Sequence, residues 1–191
     1  MGCRKCLCET TLSLGLAALV LWLLYRTFTP SISIETFEVP ALNKTSNGTS
    51  NVIDPTITFH LRLKNENWNE GVFYDAVNVT LYYYHANISN FLPIGNISIP
   101  AFYQGIHGKK AHRVESFLSY GVPWDIAKKE VSNGGTTMFR VGVDTRIRFK
   151  YLIIFCIPVK GKRHTMGLGV NVTVNDQGIK SVKKGLRLSA D

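Results

Sequence analysis

Cysteine is scarce where a small exported domain would use it. Of four in this 191-residue chain, Cys3, Cys6 and Cys8 crowd the first eight positions and Cys156 stands alone far downstream. No internal disulfide can form after residue 8, so a hydrophobic core has to hold that part together. Catalytic signatures are missing too. The histidines His60, His85, His107, His112 and His164 show no HExxH or other metal-ligand spacing; His107 and His112 are the closest pair. There is no G-x-S-x-G elbow and no phosphate-binding loop, and Gly167-Leu168-Gly169 lacks a third glycine. Asp125 and Glu130 have nothing to pair with for acid–base work. The expectation is a non-enzymatic protein without metal or cofactor. An apolar content of 45% argues against a disordered chain, and 16 Gly with 7 Pro is no collagen or linker composition.

What is present begins with an uncharged, leucine-rich stretch from Thr10 to Tyr25, bounded by Glu9 and Arg26. As a helix these residues span about 24 Å at 1.5 Å per residue, and extension to Phe28 approaches the ~30 Å hydrocarbon core. A cleaved signal peptide would have small residues after the run. Leu23 to Phe28 supply none, which favours an uncleaved signal anchor. Arg4 and Lys5 precede the stretch and Arg26 follows it, so the positive-inside rule places the N-terminus in the cytosol. Cys3, Cys6 and Cys8 are then juxtamembrane candidates for S-palmitoylation. The myristoylation pattern fails because Cys6 stands where Ser or Thr is required.

Six sequons, at Asn43, Asn47, Asn78, Asn87, Asn96 and Asn171, exceed the roughly two that 13 Asn and 27 Ser/Thr would give by chance. They are candidate N-glycosylation sites and support an exterior placement for everything after the anchor. Cys156, in the apolar run Tyr151 to Ile157, reads as a buried small hydrophobe.

Strict alternation recurs in Ile57 to Lys64, Val77 to Tyr84, Phe139 to Lys150 and Met166 to Val174, the pattern of strands buried on one face. Weaker strands are Ser31 to Val39, Ile94 to Ile99 and Arg113 to Leu118. Turn signals fall at Asn133-Gly134-Gly135 and Lys160-Gly161-Lys162. One short helix fits Trp124 to Val131, with Pro123 as its first residue. The expected fold is all-β: an antiparallel immunoglobulin-like sandwich of about seven strands with one short helix, preceded by a single transmembrane helix. Asn78, Asn96 and Asn171 fall on the outward parity of their strands.

Charge is asymmetric. Residues 26–108 sum to −2 (four basic, six acidic) and residues 109–191 to +10 (sixteen basic, six acidic). Arg140, Arg146, Arg148 and Lys150 project from one strand face, with Lys160, Lys162 and Arg163 in the turn that follows. They are a candidate anionic-surface contact, for acidic lipid or acidic polysaccharide; the exterior placement removes nucleic acid from reach.

Asn65-Glu66-Asn67, Val72-Phe73-Tyr74-Asp75, Pro100-Ala101-Phe102-Tyr103-Gln104-Gly105 and the basic strand ending at Cys156 together resemble the motifs of the plant harpin-induced / non-race-specific disease resistance-like family. The exterior part of that family is a late embryogenesis abundant group 2 domain. Glu66 stands where the family has proline, and Ala101 separates Pro100 from Phe102. The resemblance implies a single-pass plasma-membrane protein of plant defence and stress response, sometimes at plasmodesmata. Its exterior sandwich would bind a protein partner or the boundary between membrane and cell wall. Alternatives are a lipid-binding module with an apolar groove and a protein protective in abiotic stress. The expected organisation is a cytosolic tail (1–9), a signal anchor (10–28), a stalk with a first strand and a glycosylated loop (29–55), the β-sandwich (56–178) and a basic polar tail (179–191). The motif side chains read as packing groups: Tyr74 and Asp75 at a strand end, Phe102-Tyr103-Gln104 as a buried turn.

Overall fold

Alternation is realised in Thr56–Lys64 (β2), where Ile57, Phe59, Leu61 and Leu63 are buried and the residues between them face outward. The computed structural model describes residues 2–24, 26–44, 54–85, 90–106, 108–152 and 158–190. In chain order the other strands are β1 (Ser31–Glu38), β3 (Glu70–Tyr74), β4 (Val77–His85), β5 (Asn90–Ile99), β6 (Phe102–Gln104), β7 (Lys110–Leu118), β8 (Thr137–Leu152), β9 (Pro158–Val174), β10 (Leu186–Arg187) and β11 (Ser189–Ala190). Two helices, α1 (Gly2–Leu24) and α2 (Trp124–Ser132), and a 3-10 turn at Pro40–Leu42 complete the order.

All pairings are antiparallel. One sheet runs β10-β1-β2-β7. The other has seven strands in the order β11-β9-β8-β3-β6, with β4 following β3 along the same edge of β8 and β5 outside β4. The inner faces meet in one core, with Phe37, Phe59, Phe139, Tyr74 and Tyr83 fully buried. Phe139 sits 5.6 Å from Phe37 and 5.7 Å from Tyr83 between ring centroids. These rings fill the space between the sheets.

The structure corrects several expectations. Eleven strands are described rather than about seven, because β3, β6, β10 and β11 are short pieces that periodicity does not flag. Lys160-Gly161-Lys162 is not a turn: β9 begins at Pro158, and Lys160 pairs with Lys150 through the backbone. Pro123 caps α2 rather than opening it. The sandwich reaches beyond residues 56–178, since β1 pairs along β2 and residues 179–190 fold back on the sheets. Buried Lys180 holds that return. Its Nζ donates to the carbonyls of Ile34 (3.0 Å), Glu35 (2.6 Å) and Lys184 (3.1 Å). Burial pulls its pKa below the ordinary lysine value, which the Glu35 charge opposes.

The helix α1 begins in the region expected as a tail and ends at Leu24, after which residues 26–30 run without helix to β1. In α1 the described side chains are those of residues 9–22, and all are exposed, including Leu12 (75%), Leu14 (71%) and Leu16 (63%). Among the described residues, no helix is long and apolar enough to cross a membrane.

Candidate functional site

The three motifs converge at the end of the sandwich nearest α1. Tyr74 from β3 donates its hydroxyl to Gln104 Oε1 at 2.9 Å, and Gln104 Nε2 donates to the carbonyls of Leu63 (2.9 Å) and Lys109 (2.6 Å). Asn65 Nδ2 donates to the carbonyls of Glu70 (2.6 Å) and Gly105 (3.0 Å), and its Oδ1 accepts from the backbone N–H (3.0 Å) and Nδ2 (2.9 Å) of Asn67. The network ties β2, β3, β6 and the start of β7 together, and each of its amides is satisfied. Burial pushes the Tyr74 hydroxyl far above its ordinary pKa.

Asn67 extends the network to the segment leaving α1. The Phe28 N–H donates to Asn67 Oδ1 at 2.6 Å, and Asn67 Nδ2 donates to the Phe28 carbonyl at 2.7 Å. Thr27 donates its hydroxyl to Glu70 Oε1 at 3.1 Å. The link between helix and sandwich is therefore clamped by side chains. Glu70 is 3% exposed and its Oε2 has no partner among the described residues. Burial raises its pKa above the usual carboxylate range, the Thr27 hydroxyl pulling the other way.

Arg140, Arg146, Arg148, Lys150 and Arg163 lie on the outer face of the seven-stranded sheet, but in two groups. Arg146, Arg148 and Lys150 share the outward parity of β8, and Arg163 on β9 is in register with Arg148. Asp75 stands between the two arginines, 3.9 Å from each. Lys162 is exposed on β9. Arg140, about 20 Å from Arg146 along the strand, belongs elsewhere: it donates to Asn171 Oδ1 at 3.3 Å and lies 5.7 Å from the Phe91 ring centroid.

The row through Arg148 and Arg163 continues across the sheet. The register places Tyr103 opposite Phe73, Phe73 opposite Arg148, and Arg148 opposite Arg163. Tyr103 is 46% exposed, its ring 4.5 Å from that of Phe73, with Lys150 Nζ 5.7 Å from its centroid. Its ring covers Gly71, where a Cβ would collide with the Tyr103 hydroxyl. The motif read as a buried turn is thus a strand that buries Gln104 and presents Tyr103.

Of the sequon asparagines, Asn78, Asn96 and Asn171 are exposed on the same outer face, Asn96 and Asn171 toward the end away from Tyr103 and Asn78 at mid-strand opposite Asp144. Asn43 is half-buried at the end of the 3-10 turn, its N–H bonded to Pro40. Asn47, Asn87, His107 and Cys156 lie outside the described residues, as do the side chains of Cys3, Cys6, Cys8 and Lys160. A pair that spacing did not suggest is His60 and His112, on neighbouring strands, with Nε2 and Nδ1 2.9 Å apart. Among the described residues, no group of three or more His, Cys, Asp or Glu could hold a metal.

No protein-family model matches the chain. Protein NDR1 of Arabidopsis thaliana is 34% identical over 198 residues, an alignment covering 98% of this chain and 82% of that protein. With this relationship and the three motifs meeting in one network, the chain belongs to the non-race-specific disease resistance / harpin-induced family.

Proposed function

We propose that the chain is a non-catalytic, plasma-membrane-anchored protein of plant defence. In this reading the leucine-rich part of α1, from Thr10 onward, inserts in the bilayer as the anchor, with the N-terminus in the cytosol. The sandwich stands outside, carries glycans on Asn78, Asn96 and Asn171, and meets its partner through the outer face of the seven-stranded sheet. The observation that carries the reading is the exposure of α1. A helix whose described side chains, residues 9–22, are all exposed and largely apolar needs an apolar surrounding. In the sequence the same composition continues through Leu23 and Leu24, and family membership supports the defence role. A lipid groove between the sheets is disfavoured, because the buried aromatic rings occupy that space.

Alkaline carbonate extraction of membranes, followed by peptide N-glycosidase, tests this. The chain should stay in the pellet and lose mass on deglycosylation. Release into the supernatant at unchanged mass would refute the reading.

A further inference from the structure

We propose that the aromatic and basic row Tyr103–Phe73–Arg148–Arg163 is a binding site for an acidic polysaccharide, its sugar rings lying on the two aromatic residues and its uronate carboxylates held by the arginines and Lys150. The inference rests on the exterior placement proposed above and names the partner class of that same face.

Four strands supply one side chain each, in register, so the row crosses the sheet at right angles to the strands. Three strand steps of about 4.8 Å give it a length of roughly 14 Å, enough for several linked sugar rings. The aromatic half is a ledge. Tyr103 lies against Gly71 and beside Phe73 and does not project. A bilayer contact would use apolar side chains that protrude and insert; a flat exposed ring instead offers a π face to the C–H groups of a sugar.

The basic half is short of anions. Among the described residues Asp75 is ion-paired with Arg148 and Arg163, both pairs long at 3.9 Å, and Asp144 shares the outward parity of β8 two positions before Arg146, so two carboxylates stand beside the four basic groups Arg146, Arg148, Lys150 and Arg163. The Arg148 and Arg163 side chains are 31% and 57% exposed. An exposed planar guanidinium is matched to a carboxylate. Of the candidate glycan sites on this face, Asn171 and Asn96 lie toward its other end, and Asn78, opposite Asp144, stands about 13 Å along the strand from Arg148.

The test uses the full chain in phosphatidylcholine nanodiscs, titrated at physiological ionic strength with an α-1,4-linked oligogalacturonate. Further arms are the same oligomer fully methyl-esterified, phosphatidylserine vesicles, and an oligodeoxythymidylate of equal charge. Binding of the acid oligomer but not its ester is expected. Arg163→Gln, at an exposed position that should not disturb folding, should weaken it about tenfold, or ~1.4 kcal/mol, as should Tyr103→Ser. Lys183→Gln, on the C-terminal return, should leave it unchanged. The proposal is overturned if the wild type does not bind, if the ester binds equally, or if vesicles or the oligonucleotide bind more tightly. Full affinity in both Arg163→Gln and Tyr103→Ser would overturn it too. Failure of the exterior placement appears in carbonate extraction and glycosidase treatment, and failure of the site in this titration, so the two are distinguishable.

Discussion

Replacing Asn67 with alanine should loosen the joint between α1 and the sandwich while the sandwich stays folded. The side chain makes two hydrogen bonds to the backbone of Phe28, at 2.6 and 2.7 Å, in a part-buried setting. At about 1 kcal/mol net for each, the clamp loses about 2 kcal/mol, or about 30-fold in the opening equilibrium. Thr27 keeps its bond to Glu70, so the segment is weakened rather than freed. Hydrogen exchange read by mass spectrometry on the full chain in detergent should show the Phe28 amide exchanging about 30-fold faster, with amides of β2 and β8 close to wild type. Unchanged protection at Phe28, or a Phe28 amide already exchanging freely in the wild type, would refute the claim that the link is clamped.

Other outcomes follow from the same network and from the C-terminal return. Tyr74→Phe leaves Gln104 Oε1 without its donor and should cost about 2 kcal/mol, which for a domain of this size lowers Tm by about 4–8 °C in a calorimetric scan. Lys180→Met removes three bonds to carbonyls and should cost about 3 kcal/mol, with faster exchange confined to residues 180–190 and β1. Glu70 has a raised pKa in the fold, so its contribution to stability is present below the ordinary carboxylate range and is lost as pH climbs through the raised value. Glu70→Gln should therefore raise Tm at neutral pH by more than at pH 4; equal shifts at both pH values would contradict the burial argument. Asn78→Gln, Asn96→Gln and Asn171→Gln should each remove one glycan's mass on electrophoresis and move Tm little, because all three side chains are exposed.

The long strands were legible because each buries one face. Ile57 to Lys64 and Phe139 to Lys150 alternate strictly, and β2 and β8 contain them. The outward placement of Asn78, Asn96 and Asn171 followed from the same parity. The pieces missed are held by backbone pairing with distant partners. Phe102–Gln104 is a three-residue strand with no period to read. The C-terminal return is polar, and its attachment depends on Lys180 meeting carbonyls nearly 150 positions away. Lys160-Gly161-Lys162 has turn chemistry but lies on a strand, its pairing set by the long antiparallel partner β8. For the site, local charge pointed to Arg148 and Arg163. Register alone adds Phe73 and Tyr103 to their row, and separates Arg140 from it. The roles of Asn67 and Glu70 at the joint between α1 and the sandwich depend on where residues 27 and 28 pass, which no local pattern records.

Protease digestion of sealed microsomes, read with an antibody to the C-terminal residues, tests the central claim most directly. The account predicts a fragment of nearly full length that is protected until detergent opens the vesicles. Complete loss of the C-terminal epitope in intact vesicles would put the sandwich on the cytosolic side and contradict it.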